Sequence, residues 1–172
     1  PIPDSITVTG SLTQAEAQVL LTPEGSAVLP TVTGTATQIS SLTLGKTDSI
    51  TKVEVTGNAT VAEAKTIITK GSTASYILRD TAKNLSEASD AVKSSATEIV
   101  STDVASLAQA SVLDAVEEVS DAKTKFELKD TASNILASAV SALTRGLTNN
   151  NTVTVKDESI TADEATKLRT LD

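Results

Sequence analysis

Histidine, cysteine, methionine and tryptophan are all missing from these 172 residues, and the aromatic complement is one tyrosine and one phenylalanine, Tyr76 and Phe126. Without His or Cys the chain cannot build a Ser-His-Asp or Cys-His nucleophile system, an ordinary zinc site, haem or iron–sulfur ligation, or a disulfide. No run of 18 or more apolar residues occurs, so no segment reads as a membrane-spanning helix and no membrane insertion is expected. The N-terminal stretch shows no charged-then-apolar leader pattern, and Pro1 in place of methionine is expected of a processed chain or an excised fragment. Positive charge is also scarce, with 14 Lys and Arg against 22 Asp and Glu, a formal charge of −8. Such a field repels phosphate backbones and anionic lipid, which argues against nucleic acid as a partner.

What is present is small and aliphatic. An apolar content of 39% is enough for a core of moderate size. That core is drawn from Ala, Val, Ile and Leu, which suits thin, closely stacked layers better than a globule around large rings. An excess of Thr, Ser and Ala with few oxidisable side chains fits an extracellular, cell-surface or virion-borne protein.

Internal repetition carries the architecture. Seven segments each run from a short alternating apolar stretch through Gly or Asp into a hydroxyl-rich step and an Ala/Leu-rich helical pattern. Their anchors are Gly10, Gly34, Gly57, Asp80, Asp103, Asp130 and Asp157, separated by 24, 23, 23, 23, 27 and 27 residues. One strand and one helix fit that length; two helices do not.

Two and four residues before the anchors lie Ile6 and Val8, Val53 and Val55, Tyr76 and Leu78, Phe126 and Leu128, Val153 and Val155. Side chains alternate along a strand, so these share one apolar face. Between them, Thr31, Thr33, Glu54, Thr56, Glu127, Lys129, Thr154 and Lys156 form a wet face. Pro30 and Ser101 stand where apolar residues are expected, with Ile77 and Val100 on the wet side, so repeats two, four and five are expected to be shifted, bulged or covered. Pro30 in particular threatens its strand by removing a backbone donor.

Two residues beyond the anchor the chain is usually small, at Ala36, Ala59, Ala82, Ala105 and Ala132. Capping boxes then mark helix starts at Thr13 with Glu16, Thr60 with Glu63, Ser106 with Gln109 and Thr161 with Glu164. Helix stripes follow as Ala15, Val19 and Leu20; Ala64, Ile67 and Ile68; Val112, Leu113 and Val116; and Ile135, Ala139 and Leu143.

Strands separated by helices pair in parallel through right-handed crossovers. The expected fold is therefore α/β, a right-handed β/α solenoid of about seven repeats of 23–27 residues, with one parallel sheet and the helices on one side. The anchors are expected to stand in one column. Residues 1–172 read as a single repeat domain belonging to a longer array. Strands stack about 4.8 Å apart and helices roughly 8–10 Å, so the array should curve, less so for Ala-rich helices.

The stretches DTAKNL from Asp80, DTASNI from Asp130 and VTGNATVAEA from Val55 resemble repeats of giant repetitive surface and extracellular proteins of bacteria, especially marine cyanobacteria, and of structural proteins of their phages. The likeness spans nearly the whole chain. It implies a cell-surface, adhesive, filamentous or virion-associated role, and it transfers no functional residue.

Three features invite sharper functions. Asp80, Asp103, Asp130 and Asp157 would stack in a carboxylate ladder able to hold calcium, but that ion takes six or more oxygens and each repeat offers one carboxylate. Asx-turn chemistry is the favoured reading. Thr7, Thr9, Thr31 and Thr33 form two Thr-x-Thr units that would suit ice or polysaccharide, yet the pattern lapses at Glu54, and threonine is a good wet-face strand residue. Asn58, Asn84 and Asn150 stand in Asn-x-Ser/Thr sequons, which arise by chance in a chain this rich in hydroxyls. Glu117 with Glu118, and Asp163 with Glu164, read as solvated helix faces, so no catalytic site and no cofactor are expected.

The function expected from the sequence is a structural or spacer module of a secreted, cell-surface, filamentous or virion-associated protein. Its partners would be flanking repeats or copies of itself stacked along the solenoid axis. The alternative is an adhesion module for glycan or a surface partner.

Overall fold

Alternating strand patterns and capped helical segments recur along the chain in a computed structural model, which describes residues 6–7, 10–21, 27–45, 48–119, 122–137, 152–157 and 159–169. In repeat one, β1 (Ile6–Thr7) and β2 (Ser11–Thr13) lead into α1 (Gln14–Leu20). Repeat two is β3 (Ala27–Gly34) with α2 (Ala36–Ser40), and repeat three is β4 (Ser49–Ala59) with α3 (Val61–Ile67). Repeat four has β5 (Thr73–Asp80) and two short helices, α4 (Ala82–Glu87) and α5 (Asp90–Ser94). Then come β6 (Ala96–Ala105) with α6 (Leu107–Val119), β7 (Lys123–Asp130) with α7 (Ala132–Ala137), and β8 (Thr152–Val155) with α8 (Ala162–Arg169).

The strands form one open sheet in the order β1-β3-β4-β5-β6-β7-β8, with β2 also joined to β3. Described ladders are parallel, as helical connections require. The chain divides into two compact units, Pro1–Leu78 with Asp90–Thr97, and Arg79–Ser89 with Glu98–Asp172.

In the first unit the core lies between β3–β5 and the helices. Leu29, Val32, Ile50, Val53, Tyr76 and Leu78 bury one strand face, against Ala17, Leu21, Ile39, Ala64, Ile67 and Val92 from the connecting segments. The expected stripe of α1 is turned. Val19 is 77% exposed and Ala15 is also exposed, while Ala17 and Leu21 are buried. The sheet therefore takes the other side of that helix. Pro30 does not end its strand, because Thr7 pairs with Val28 and Ser11 with Thr31, leaving Pro30 between the two ladders. Burial accordingly steps by three, from Leu29 to Val32, and the neighbouring strand steps likewise from Ile50 to Val53.

In the second unit β7 is the most regular strand, with Thr124, Phe126 and Leu128 buried in strict alternation after Ala122. They meet Ile99 of β6 and Leu113, Val116 and Ile135 of the helices in a second core. Ala139 and Leu143, the rest of the stripe expected after Ile135, lie outside the described residues. All five small residues expected beyond the anchors, Ala36, Ala59, Ala82, Ala105 and Ala132, are buried.

The anchors do not form one column. Gly34 stands beside Val55, two residues short of Gly57, and Asp130 stands beside Val155, two short of Asp157. Two other ladders shift further, each at a bulge. From Glu54 to Asn58, four steps of β4 run beside two of β5, and from Val100 to Val104, four steps of β6 run beside two of β7. Gly57 lies inside the first bulge and Asp103 inside the second, whereas Gly34, Asp80 and Asp130 close their strands.

The repeats are therefore of two kinds. In odd repeats the anchor precedes the capping residue by three or four positions, as Gly10 does Thr13, Gly57 does Thr60, Asp103 does Ser106 and Asp157 does Thr161. In even repeats it precedes the cap directly, at Gly34-Thr35, Asp80-Thr81 and Asp130-Thr131. Positive φ occurs at Gly10 (103°) and Gly57 (90°), both odd.

Candidate functional site

A helix start leaves its first amides without intrahelical partners, and side chains here supply them. All four expected capping boxes form, each with reciprocal bonds between the hydroxyl residue and the Glu or Gln three positions on. A fifth, Thr35 with Gln38, is in repeat two.

Repeats four and six use a different device with the pattern Asp-Thr-Ala-x-Asn. Asp80 Oδ1 accepts from the Thr81 amide and from Asn84 Nδ2, both at 2.8 Å, while the Asn84 amide donates to Thr81 Oγ1 at 3.2 Å. Asp130, Thr131 and Asn134 repeat this geometry. Hydrogen bonds from the Asn134 amide group, then from the Thr131 backbone, hold the Asp130 carboxyl below its ordinary range.

The amide between these two caps is reached from the following repeat. Asp103 Oδ1 accepts from the Ala82 amide at 2.6 Å, and Asp157 Oδ2 accepts from the Ala132 amide at 2.7 Å. In the first unit Asp48 does the same for a strand start, accepting from the Ala27 amide at 2.9 Å and from the Gly45 amide at 2.7 Å. Thr37 Oγ1 also donates to Glu63 Oε1 at 3.1 Å, joining α2 to α3.

The four carboxylates weighed as calcium ligands are thus placed in two roles, Asp80 and Asp130 capping their own helix and Asp103 and Asp157 clasping the helix before. They do not form a ladder. Among the described residues no group of three or more His, Cys, Asp or Glu is gathered to hold a metal ion.

The other expected features scatter. Thr31 and Thr33 stand beside Lys52 and Glu54 of β4, which breaks the hydroxyl array, and Thr9 lies outside the described residues. Asn58 is exposed on β4. The side-chain amide of Asn84 is committed to Asp80, and Asn150 lies outside the described residues. Asp163 pairs with Lys167 at 2.7 Å, and Glu164 belongs to the cap of α8. Glu117 and Glu118 lie on α6, their side chains outside the description. Tyr76 is structural, since its hydroxyl donates to the Val92 carbonyl at 2.6 Å and burial pushes its pKa up to about 12.

The β6 bulge opens a cavity of about 380 Å³. Val100, Ser101, Thr102 and Val104 form one wall, with Lys125 and Glu127 of β7 and Thr152 of β8 opposite. Ser101 Oγ donates to the Asp103 carbonyl at 2.8 Å and to Asp103 Oδ1 at 3.1 Å, fixing the bulge on the Ala82 clasp. Lys125 forms an ion pair with Glu98. Sequence reading missed this cavity, although Ser101 on the expected apolar face and Val100 on the wet face marked the displaced strand.

Comparison with protein-family models, curated proteins and solved structures finds no match. The chain is therefore defined by its fold, an open parallel α/β sheet with alternating helices.

Proposed function

We propose that this chain is a spacer module, a right-handed β/α solenoid serving a secreted, cell-surface, filamentous or virion-associated protein. The observation that carries the reading is the use of the recurring polar residues. Asp48, Asp103 and Asp157 bond backbone amides of the preceding repeat, so what recurs is the means of joining one repeat to the next. The two clasps at helix starts, from Asp103 and Asp157, contribute about 1 kcal/mol each, and such contributions accumulate along an array of neighbouring interfaces. Packing of α2 on α3 in the first unit, and of α4 on α6 and α7 on α8 in the second, supports side-by-side helices within each unit. Parallel strands with helical crossovers support right-handedness. The sheet order ends at β8, and the same strand-on-strand pairing continued there would join flanking repeats or further copies.

The test is surface labelling of intact producing cells or purified virus particles with a membrane-impermeant amine reagent, followed by peptide mapping. Exposed Lys123, Lys125 and Lys129 should be modified before lysis. Modification only after lysis would overturn the placement.

A further inference from the structure

We propose that the cleft at the β6 bulge binds a neutral saccharide. This goes beyond the spacer role and does not depend on it. The excess backbone between Val100 and Val104 leaves the sheet where β7 provides only Lys125 to Glu127, and the space between is the cavity. Its volume of about 380 Å³ falls within the roughly 300–1,000 Å³ of sites that take small ligands. The Ser101–Asp103–Ala82 bonds hold its wall in place without a ligand, so binding need not order it.

The lining selects the ligand class. Val100 and Val104, the latter 43% exposed, offer an apolar surface on which the carbon face of a pyranose ring can rest. Thr102 and Thr152 bring hydroxyls, Glu127 an acceptor and Lys125 a donor, the mixture that an array of sugar hydroxyls satisfies. Carboxylates outnumber the ammonium in this lining, Lys125 is already paired with Glu98, and the chain carries −8 overall. An anionic sugar is thereby disfavoured.

The experiment is a nuclear magnetic resonance titration of the full chain, labelled at valine methyls and backbone amides, with maltotriose, mannotriose, galactotriose and chitotriose. At least one should cause saturable shifts at Val100, Val104, Thr102 and Glu127, leaving the Val32 and Val53 methyls unmoved. Glu127→Ala lies at an exposed position and should weaken that binding about tenfold through loss of a charge-assisted hydrogen bond, with the buried Val116 methyls of the same unit reporting an intact fold. Failure of all four sugars to move the cleft residues overturns the proposal. So does equal affinity in the Glu127→Ala variant, or equal or tighter binding of a trigalacturonate probe. Surface labelling tests the placement separately, so either reading can fall alone.

Discussion

Asp103 shows how much one side chain settles in this molecule. Its carboxylate ends the search for a partner by the first amide of α4 and ties down the bulge through Ser101. Asp103→Ala should lower unfolding free energy by about 1 kcal/mol, the usual cost of a lost helix cap. Asp103→Asn, which keeps an acceptor, should cost less, as thermal unfolding will show. The capping acids predict a pH response. Hydrogen bonds from the Thr13 backbone hold Glu16 below its ordinary 4.5. Thr60 and Thr161 do the same for Glu63 and Glu164, and Asn134 with Thr131 lowers Asp130. A lowered carboxyl stabilises fully above its unfolded pKa and ceases to do so as pH falls through its folded value. Neutralising the charge of −8 acts oppositely on the way down to the pI near 4.6. The melting temperature should therefore peak near the pI and fall in stronger acid; a continued rise below pH 4 would contradict the caps. Calcium offers a third check. With all four anchor carboxylates accepting from amides, millimolar calcium or chelator should leave the melting temperature unchanged, since a ligand stabilises only by binding the folded state.

At the scale of elements, strand and helix alternation was legible because it rests on local pattern. Val53, Leu78, Leu128 and the capping boxes fall where period-two burial and hydroxyl-x-x-Glu spacing put them. Register was less legible, because a bulge changes which residues are neighbours without changing local composition. Gly57 and Asp103 look like strand ends in sequence and are interior to strands in space. The α1 stripe failed for a similar reason, since Ala15 and Val19 have the right spacing and only tertiary packing selects Ala17 and Leu21 instead. The distance from anchor to cap held the missing information, for it separates the repeats into their two kinds. Gly57 is the sensitive point of the first bulge. At φ of 90° a side chain is strained even though open space surrounds the Cβ position, so Gly57→Ala should destabilise by about 1–2 kcal/mol. Denaturant unfolding measures it, and a neutral effect would mean that the bulge relaxes.

At the scale of the whole molecule, two kinds of repeat in alternation have a consequence for how such a chain can change length. An even strand ending directly at its cap lies beside an odd strand that needs its bulge, and the Asp of an odd repeat reaches back to the Ala amide of an even one. Removal of residues 81–130 would join Asp80 to Thr131 and rebuild the Asp-Thr-Ala-x-Asn start from its two halves, with Asp157 then placed to clasp Ala132 as before. Removal of residues 81–105 would join Asp80 to Ser106 and set two even strands side by side, with no Asp at the clasping position. The longer deletion should keep a single cooperative thermal transition, and the shorter one should broaden or lose it. If the shorter deletion proves the better tolerated, the alternation is ornamental. Otherwise the heritable unit of growth is the pair, and insertions or losses that survive in an array of this design come in steps of two.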